Sequence, residues 1–160
     1  HLHKVGVANQ TTMLRTETEE VQLLIRDAVV ARDGTDGCFR VFDTICGATQ
    51  ERQDAQVDML AQPPDLMLVV GGYNSSNTTH LADMARERTP TYFVLNAACL
   101  ETSSSIRHFD TQRHIEVETR DWMPSGPVTL GITAGASCPS NLIEDVLRRF
   151  LELRGVALGE

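Results

Sequence analysis

Apolar residues along this chain follow two rhythms. Residues 66–70, Leu-Met-Leu-Val-Val, form an unbroken apolar run, the pattern of a strand covered on both faces. Shorter runs at 5–8, 91–95 and 128–133, with an extended segment at 38–45, predict further strands. Between them, apolar positions recur at helical spacing. Residues 16–31 place Val21, Leu24, Ile25, Ala28 and Val29 on one helix face, and residues 49–61 carry Ala55, Val57, Met59 and Leu60 before Pro63-Pro64 stops them. Helices at 78–87 and 139–153 complete the series, and the stretch from 96 through Trp122 reads as variable. Strands alternating with helices predict an α/β fold of repeated strand-loop-helix units with parallel sheets, and in such folds ligands bind at strand C-terminal ends. The turn-rich ARDGTDG around Gly34 and Gly37 is the expected boundary: residues 1–37 end one α/β unit, and residues 38–160 form another with a C-terminal helix.

Four strand-to-helix junctions share one chemistry. KVGVANQTTM (4–13), FDTICGATQERQ (42–53), LMLVVGGYNSSNTTHL (66–81) and VTLGITAGASCPSN (128–141) each break from apolar residues into Gly, Ser, Thr, Asn or Cys. Free N–H groups and the helix dipole point outward at such places, so the recurrence predicts one composite site for an anionic ligand.

Charge narrows the partners. The chain has 160 residues, 41% of them apolar, enough for one to two small domains with a real core. A net charge of −8 and the lack of any Lys/Arg run argue against nucleic acid and against an anionic membrane surface. The anion must then be held by neutral donors. No apolar stretch approaches the roughly 18–20 residues of a membrane span and no signal-peptide pattern is visible, so the chain reads as soluble and intracellular. Cys38, Cys46, Cys99 and Cys138 lack the spacing of a zinc site or a redox pair. The start at HLHKVGVANQ, without an initiator Met or a polar leader, reads as a piece of something longer.

Each junction carries a local reading beside the functional one. In GGYNSSN, Gly71 and Gly72 allow a tight turn, and Asn74, Ser75, Ser76 and Asn77 can all donate to one group of oxygens; an ordinary N-cap explains the same residues. Ser137, ahead of Pro139, is open to the same two readings, as are Thr11 and Thr12 in ANQTTM. Two such helix starts facing one crevice favour a ligand over separate caps. Cys46 is the sharpest residue: at a strand end and a helix start the dipole favours its thiolate, which suits a nucleophile or a ligand to a soft metal centre. Its bland alternative is a small buried hydrophobe. Cys46 through Arg52 also spells Cys-x5-Arg, as in thiol phosphatases, although Ile45, Gln53 and Glu51 depart from that pattern. Cys38, Cys99 and Cys138 read as core or surface thiols, the histidines as solvated, and Trp122 as packing a loop.

Taken together, VANQTTM, DTICGATQERQ, VVGGYNSSNT and GITAGAS resemble, in order and spacing, the C-terminal half of the LytB family of 4-hydroxy-3-methylbut-2-enyl diphosphate reductases. The double-Gly form with GPVTLGITAGAS is similar to the plant and cyanobacterial branch. The resemblance covers nearly the whole chain and implies an enzyme of isoprenoid synthesis, in which a [4Fe-4S] cluster held by three cysteines delivers two electrons to an allylic diphosphate and the hydroxyl leaves as water. It assigns Cys46 as the third cluster ligand. Ser75, Ser76, Asn77 and Ser137 become the diphosphate-holding groups, and Thr11 a catalytic and substrate-contacting threonine near the hydroxyl end. The other two cysteines, the diphosphate-contacting histidines and a proton-donating Glu belong to a missing N-terminal part, so this chain alone is expected to be inactive. Ferredoxin or flavodoxin is the implied electron donor, and bacterial cytoplasm or plastid stroma the implied compartment. The readings that compete with it are a non-catalytic phosphate-binding α/β module and a thiol phosphatase using Cys46 and Arg52.

Overall fold

A computed structural model describes residues 3–156, arranged as two compact units, His1–Gln50 and Glu51–Glu160. The first is a single β–α–β turn. Strand β1 (Val5–Ala8) leads into helix α1 (Arg15–Asp33), and strand β2 (Phe39–Phe42) returns parallel to β1 in register from Val5↔Phe39 to Ala8↔Phe42. Helix α1 ends because Gly34 adopts φ 73°, where its N–H closes on the Val30 carbonyl at 2.8 Å. The Gly34–Gly37 break is therefore the crossover inside this unit. Strand β2 belongs with β1, so the first unit runs past the boundary expected at residue 37.

The apolar face expected on α1 is largely uncovered. Val29 is buried, but Val21 and Leu24 are 50% and 66% exposed. Two strands offer too little surface to cover a 19-residue helix.

Helix α2 (Gly47–Leu60) carries the chain into the second unit, whose five strands are β3 (Leu66–Val70), β4 (Thr91–Val94), β5 (Ser105–Asp110), β6 (Ile115–Arg120) and β7 (Leu130–Ala134). Their order is β6-β5-β4-β3-β7. The central strand β3 is fully buried and pairs parallel with both β4 and β7, as its continuous apolar run requires. Leu66, Leu68 and Val70 face Val146 and Phe150 of helix α4 (Ser140–Leu153); on the other face Val69 meets Leu81 and Ala82 of helix α3 (Ser76–Arg86), and Met67 meets Ala85 of α3 and Leu60 of α2. Apolar helix stripes on both faces bury the strand completely.

The stretch read as variable holds an antiparallel hairpin, β5 with β6. Ile115, Val117 and Thr119 alternate with Glu116, Glu118 and Arg120, a period-two signal that lacks a continuous apolar run. The Asp110 carboxylate closes the turn by accepting the Gln112 and Arg113 N–H groups at 2.9 and 3.1 Å, which holds its pKa below the usual carboxylate range. Trp122 packs as expected: its indole N–H donates to the Thr102 carbonyl at 3.0 Å.

His108, expected to be solvated, is half-buried on β5. Its Nε2 lies 2.8 Å from Thr119 Oγ1 and its ring meets Tyr92 edge-on at 5.0 Å. Burial lowers its pKa from the usual 6.5, outweighing a backbone hydrogen bond and the Asp110 charge, which raise it, while Arg86 adds to the lowering. The unfolded chain therefore takes up this proton at a higher pH than the folded one. Stability from this group is complete above the unfolded pKa and is lost as pH falls through 6.5 toward the folded value. Thermal melts of the chain should give a lower Tm at pH 5.5 than at pH 7.5, and the gap should narrow in His108→Gln; an unchanged gap would remove His108 as its source.

Candidate functional site

The loops after β3 and β7 are built against each other. Val70 pairs with Ala134, and both the Gly71 and the Gly135 N–H groups continue the ladder, to the Val94 and Val70 carbonyls at 3.1 Å each. Thr78, 1% exposed in α3, wedges between the two glycines. A Cβ on Gly135 would fall 2.2 Å from Thr78 Oγ1, and one on Gly71 2.9 Å from the same atom. Only glycine permits this approach at either position, and it brings the two loops to one place.

Three expected residues lie on the first loop. Ser75 caps α3: its Oγ accepts the Thr78 N–H at 3.3 Å and the Thr78 hydroxyl at 2.9 Å. Ser76 begins the helix and is exposed. Asn77 is 3% exposed, yet neither the nitrogen nor the oxygen of its carboxamide has a hydrogen-bond partner. Buried polar groups are almost always paired, and each unpaired group costs about 1–3 kcal/mol. Something other than packing keeps an amide here.

On the second loop, the Cys138 N–H closes a turn on the Gly135 carbonyl at 2.9 Å and leaves Ser137 exposed. The N-cap of α4 is Pro139, with no side-chain capping bond, so the capping reading of Ser137 is replaced by a free hydroxyl beside the Ser75 loop. Burial pushes the Cys138 thiol up, while the Arg52 charge favours its thiolate. Residues 71–79 and 130–143 contain no charged side chain, so both loops offer neutral donors only.

Tyr73 anchors the first loop to the hairpin, a role the sequence reading did not assign. Its hydroxyl donates to Glu116 Oε1 at 3.1 Å and its ring stacks on Phe109 at 4.7 Å. Burial raises its pKa well above the usual phenol range, so it stays neutral.

In the first unit the loops after β1 and β2 are likewise joined. Thr44 Oγ1 accepts the Asn9 N–H at 2.8 Å and donates to the Asn9 carbonyl, and the Cys46 N–H donates to the Thr11 carbonyl at 3.0 Å. Thr11 is exposed; the N-cap of α1 is Leu14, without a side-chain bond, so Thr11 is no cap. Cys46 is a free, exposed thiol immediately before α2, not a buried hydrophobe. The phosphatase reading fails at this point. Residues 47–52 are helical, and the Thr49 and Gln50 N–H groups are spent on the Cys46 carbonyl at 2.9 and 3.0 Å, so neither is free to cradle an anion beside the thiol. Among the described residues no three His, Cys, Asp or Glu side chains gather to hold a metal ion, and no helix is long and apolar enough to cross a membrane.

Parallel strands that end in neutral hydroxyl and amide groups at helix starts define an α/β protein whose polar loops gather at strand C-terminal ends. Within that class the chain belongs to the LytB protein family, whose model matches residues 1–151. It is 46% identical to the 4-hydroxy-3-methylbut-2-enyl diphosphate reductase of Gloeobacter violaceus, over 97% of this chain and 38% of that protein. The reductase of Thermosynechococcus vestitus is 44% identical over 98% of this chain and 40% of its own length, and the chloroplastic one of Botryococcus braunii 42% over 99% and 34%. The chain thus spans about two fifths of the curated relatives it matches. A solved (E)-4-hydroxy-3-methyl-but-2-enyl diphosphate reductase superposes with a TM-score of 0.53 at 29% identity, covering 94% of this chain and 44% of that one. The corresponding reductase of Plasmodium falciparum shares the fold, with a TM-score of 0.65 at 19% identity over 92% of this chain and 39% of its own.

Proposed function

We propose that this chain is the part of a 4-hydroxy-3-methylbut-2-enyl diphosphate reductase that grips the substrate diphosphate and supplies one ligand of a [4Fe-4S] cluster. The observation that carries the reading is Asn77: a carboxamide buried on the first turn of α3 with both polar atoms unpaired. A diphosphate supplies the missing acceptor for its N–H groups. Exposed Ser76 and Ser137, with Ser75 beside them, complete a clamp of neutral donors. In such a clamp, hydrogen bonds to charged oxygens are about twice as strong as neutral ones. Within the fragment, the non-catalytic binding module would use the same clamp.

The residues present fit the cluster in part. Cys46 offers one exposed soft thiolate donor, and two more cysteines must come from outside this chain. When bound, the cluster supplies two electrons and a Lewis-acidic iron toward the allylic hydroxyl. Thr11, whose backbone carbonyl accepts the Cys46 N–H, would hydrogen-bond that hydroxyl and pass a proton toward it. The products are isopentenyl and dimethylallyl diphosphate, with ferredoxin or flavodoxin as electron donor. The bacterial and chloroplastic relatives support a bacterial cytoplasm or plastid stroma as the compartment.

The clamp is tested with inorganic pyrophosphate and calorimetry on the full-length enzyme. Asn77→Ala and Ser137→Ala should each weaken binding by roughly 10- to 150-fold, the value of one hydrogen bond to a charged group. The double variant should fall short of the product, because a diphosphate loosened at one end reorients. Wild-type affinity in both single variants would reduce these residues to structural polar groups and end the proposal.

A further inference from the structure

We infer that Thr44 is a positioning residue of the proposed reductase: where the backbones of β1 and β2 part, its side chain takes the place of a peptide group and carries the strand register on to Thr11 and Cys46. The inference rests on the roles proposed above for Thr11 and Cys46. It adds to them a residue that acts only through these two.

A parallel ladder has a fixed order. Every second residue of one strand donates its N–H to the carbonyl before its partner and accepts from the N–H after it. The β1–β2 ladder keeps this order through Ala8↔Phe42, opening with the Val5 N–H on the Cys38 carbonyl at 2.9 Å. Continued past the strands, the same order joins the Asn9 carbonyl to the Thr44 N–H and the Thr11 carbonyl to the Cys46 N–H. The second of these bonds is present, at 3.0 Å. At the first, the Thr44 hydroxyl stands in: its Oγ1 accepts the Asn9 N–H at 2.8 Å and donates to the Asn9 carbonyl. One side chain thus fills both ladder positions of Asn9, and Cys46 meets Thr11 in the register the strands began.

Asp43 explains why the backbone leaves the ladder here. Its Oδ1 accepts the Ile45 N–H at 3.2 Å, a local turn that competes with strand pairing, and its Oδ2 meets the Arg15 guanidinium at 3.2 Å. On the partner loop the Met13 N–H closes on the Gln10 carbonyl at 3.2 Å. Each loop turns on its own bonds, and the Asn9–Thr44 pair and the Thr11–Cys46 bond join them. All of these residues lie in the first unit.

The chemistry gives this join a consequence. A cluster ligand and a proton-passing hydroxyl that serve one substrate must keep a fixed separation, and misplacement by about 1 Å can cost on the order of 100-fold in rate. Thr11 and Cys46 are both exposed, so burial in a packed core holds neither. Backbone bonds hold them instead, and in the Thr44 pair the bonding group is a side chain that substitution can remove.

The test uses the cluster-loaded full-length enzyme with Thr44→Val, which keeps the side-chain shape and loses both bonds, and Thr44→Ser, which keeps the hydroxyl. In Thr44→Val, hydrogen exchange of the peptide carrying Cys46 should quicken by about fivefold or more, the worth of two net hydrogen bonds, and iron should pass faster to a chelator. The kcat should fall by about tenfold or more, with KM and pyrophosphate affinity within about twofold of wild type. Thr44→Ser should restore slow exchange, iron retention and most of kcat. Thr44 is exposed, so valine meets no packed neighbour. Should that variant fail to fold, Asp43→Ala, also at an exposed position, opens the same join from the turn and should quicken the same exchange; unchanged exchange there overturns the inference. Wild-type exchange and kcat in Thr44→Val, beside lost turnover in Cys46→Ser, overturn the role of Thr44 and leave that of Cys46. Normal iron and turnover in Cys46→Ser remove the reading on which the inference rests. A Ser variant as slow as the Val variant, or a kcat loss matched by an equal loss of pyrophosphate affinity, marks general damage and overturns the inference as well.

Discussion

Cys46→Ser in the full-length reductase should abolish turnover and lower the iron content. The thiol is exposed and fixed from both sides: its own N–H is held by the Thr11 carbonyl, and its carbonyl receives the first free amides of α2. Serine preserves that backbone and nearly the same volume, so the fold should survive and the far-ultraviolet circular dichroism should match wild type. What changes is the donor. A hydroxyl does not replace a soft thiolate toward iron, so if Cys46 is one of three anchors as proposed, the cluster would lose its attachment. Activity should fall by well over 100-fold, the upper range for loss of an outer-shell partner alone. Normal iron and turnover in the purified variant would mean that the cluster is held elsewhere, and the assignment of Cys46 would be wrong.

Gly135→Ala should be the most damaging single methyl in the second unit. The added carbon would stand 2.2 Å from Thr78 Oγ1, and Thr78 cannot step aside, being 1% exposed and bonded to Ser75. Either the loop after β7 moves away or the Ser75 cap breaks. Overpacking of this kind costs about 1–3 kcal/mol and a lost cap about 0.5–2 kcal/mol. Together they should lower Tm by roughly 5–15 °C. Pyrophosphate affinity should fall as well, because Ser137 is carried on the displaced loop. Adding Thr78→Ala removes the opposing oxygen, so the double variant should be more stable than Gly135→Ala alone. If differential scanning calorimetry shows the two losses simply adding, the glycine is needed for some other reason.

Period and punctuation located most elements in advance. Strand β3 coincides with its apolar run, 66–70, and β1 with 5–8, since a strand buried by its neighbours must be apolar whatever packs on it. The helix starts were legible to within two residues; Ser and Pro mark those of α3 and α4 locally, and helical spacing of apolar residues marks those of α1 and α2. The hairpin was missed because its one-sided alternation is weaker than a continuous run.

The sequence by itself therefore determined the α/β alternation of the second unit outside its hairpin, the small polar residues at strand ends and the family that carries them. These are properties of neighbours along the chain. Only the tertiary structure decided which polar residue caps a helix and which stays free. Ser75 is engaged with Thr78, whereas Ser137 and Thr11 are not caps and Asn77 is buried without a partner. It also decided that Gly71 and Gly135 lie against one threonine and that α1 leaves Leu24 exposed. Capping, burial and charge contact depend on what the fold brings within a few ångströms, and β3 brings together loops that the chain keeps some sixty residues apart.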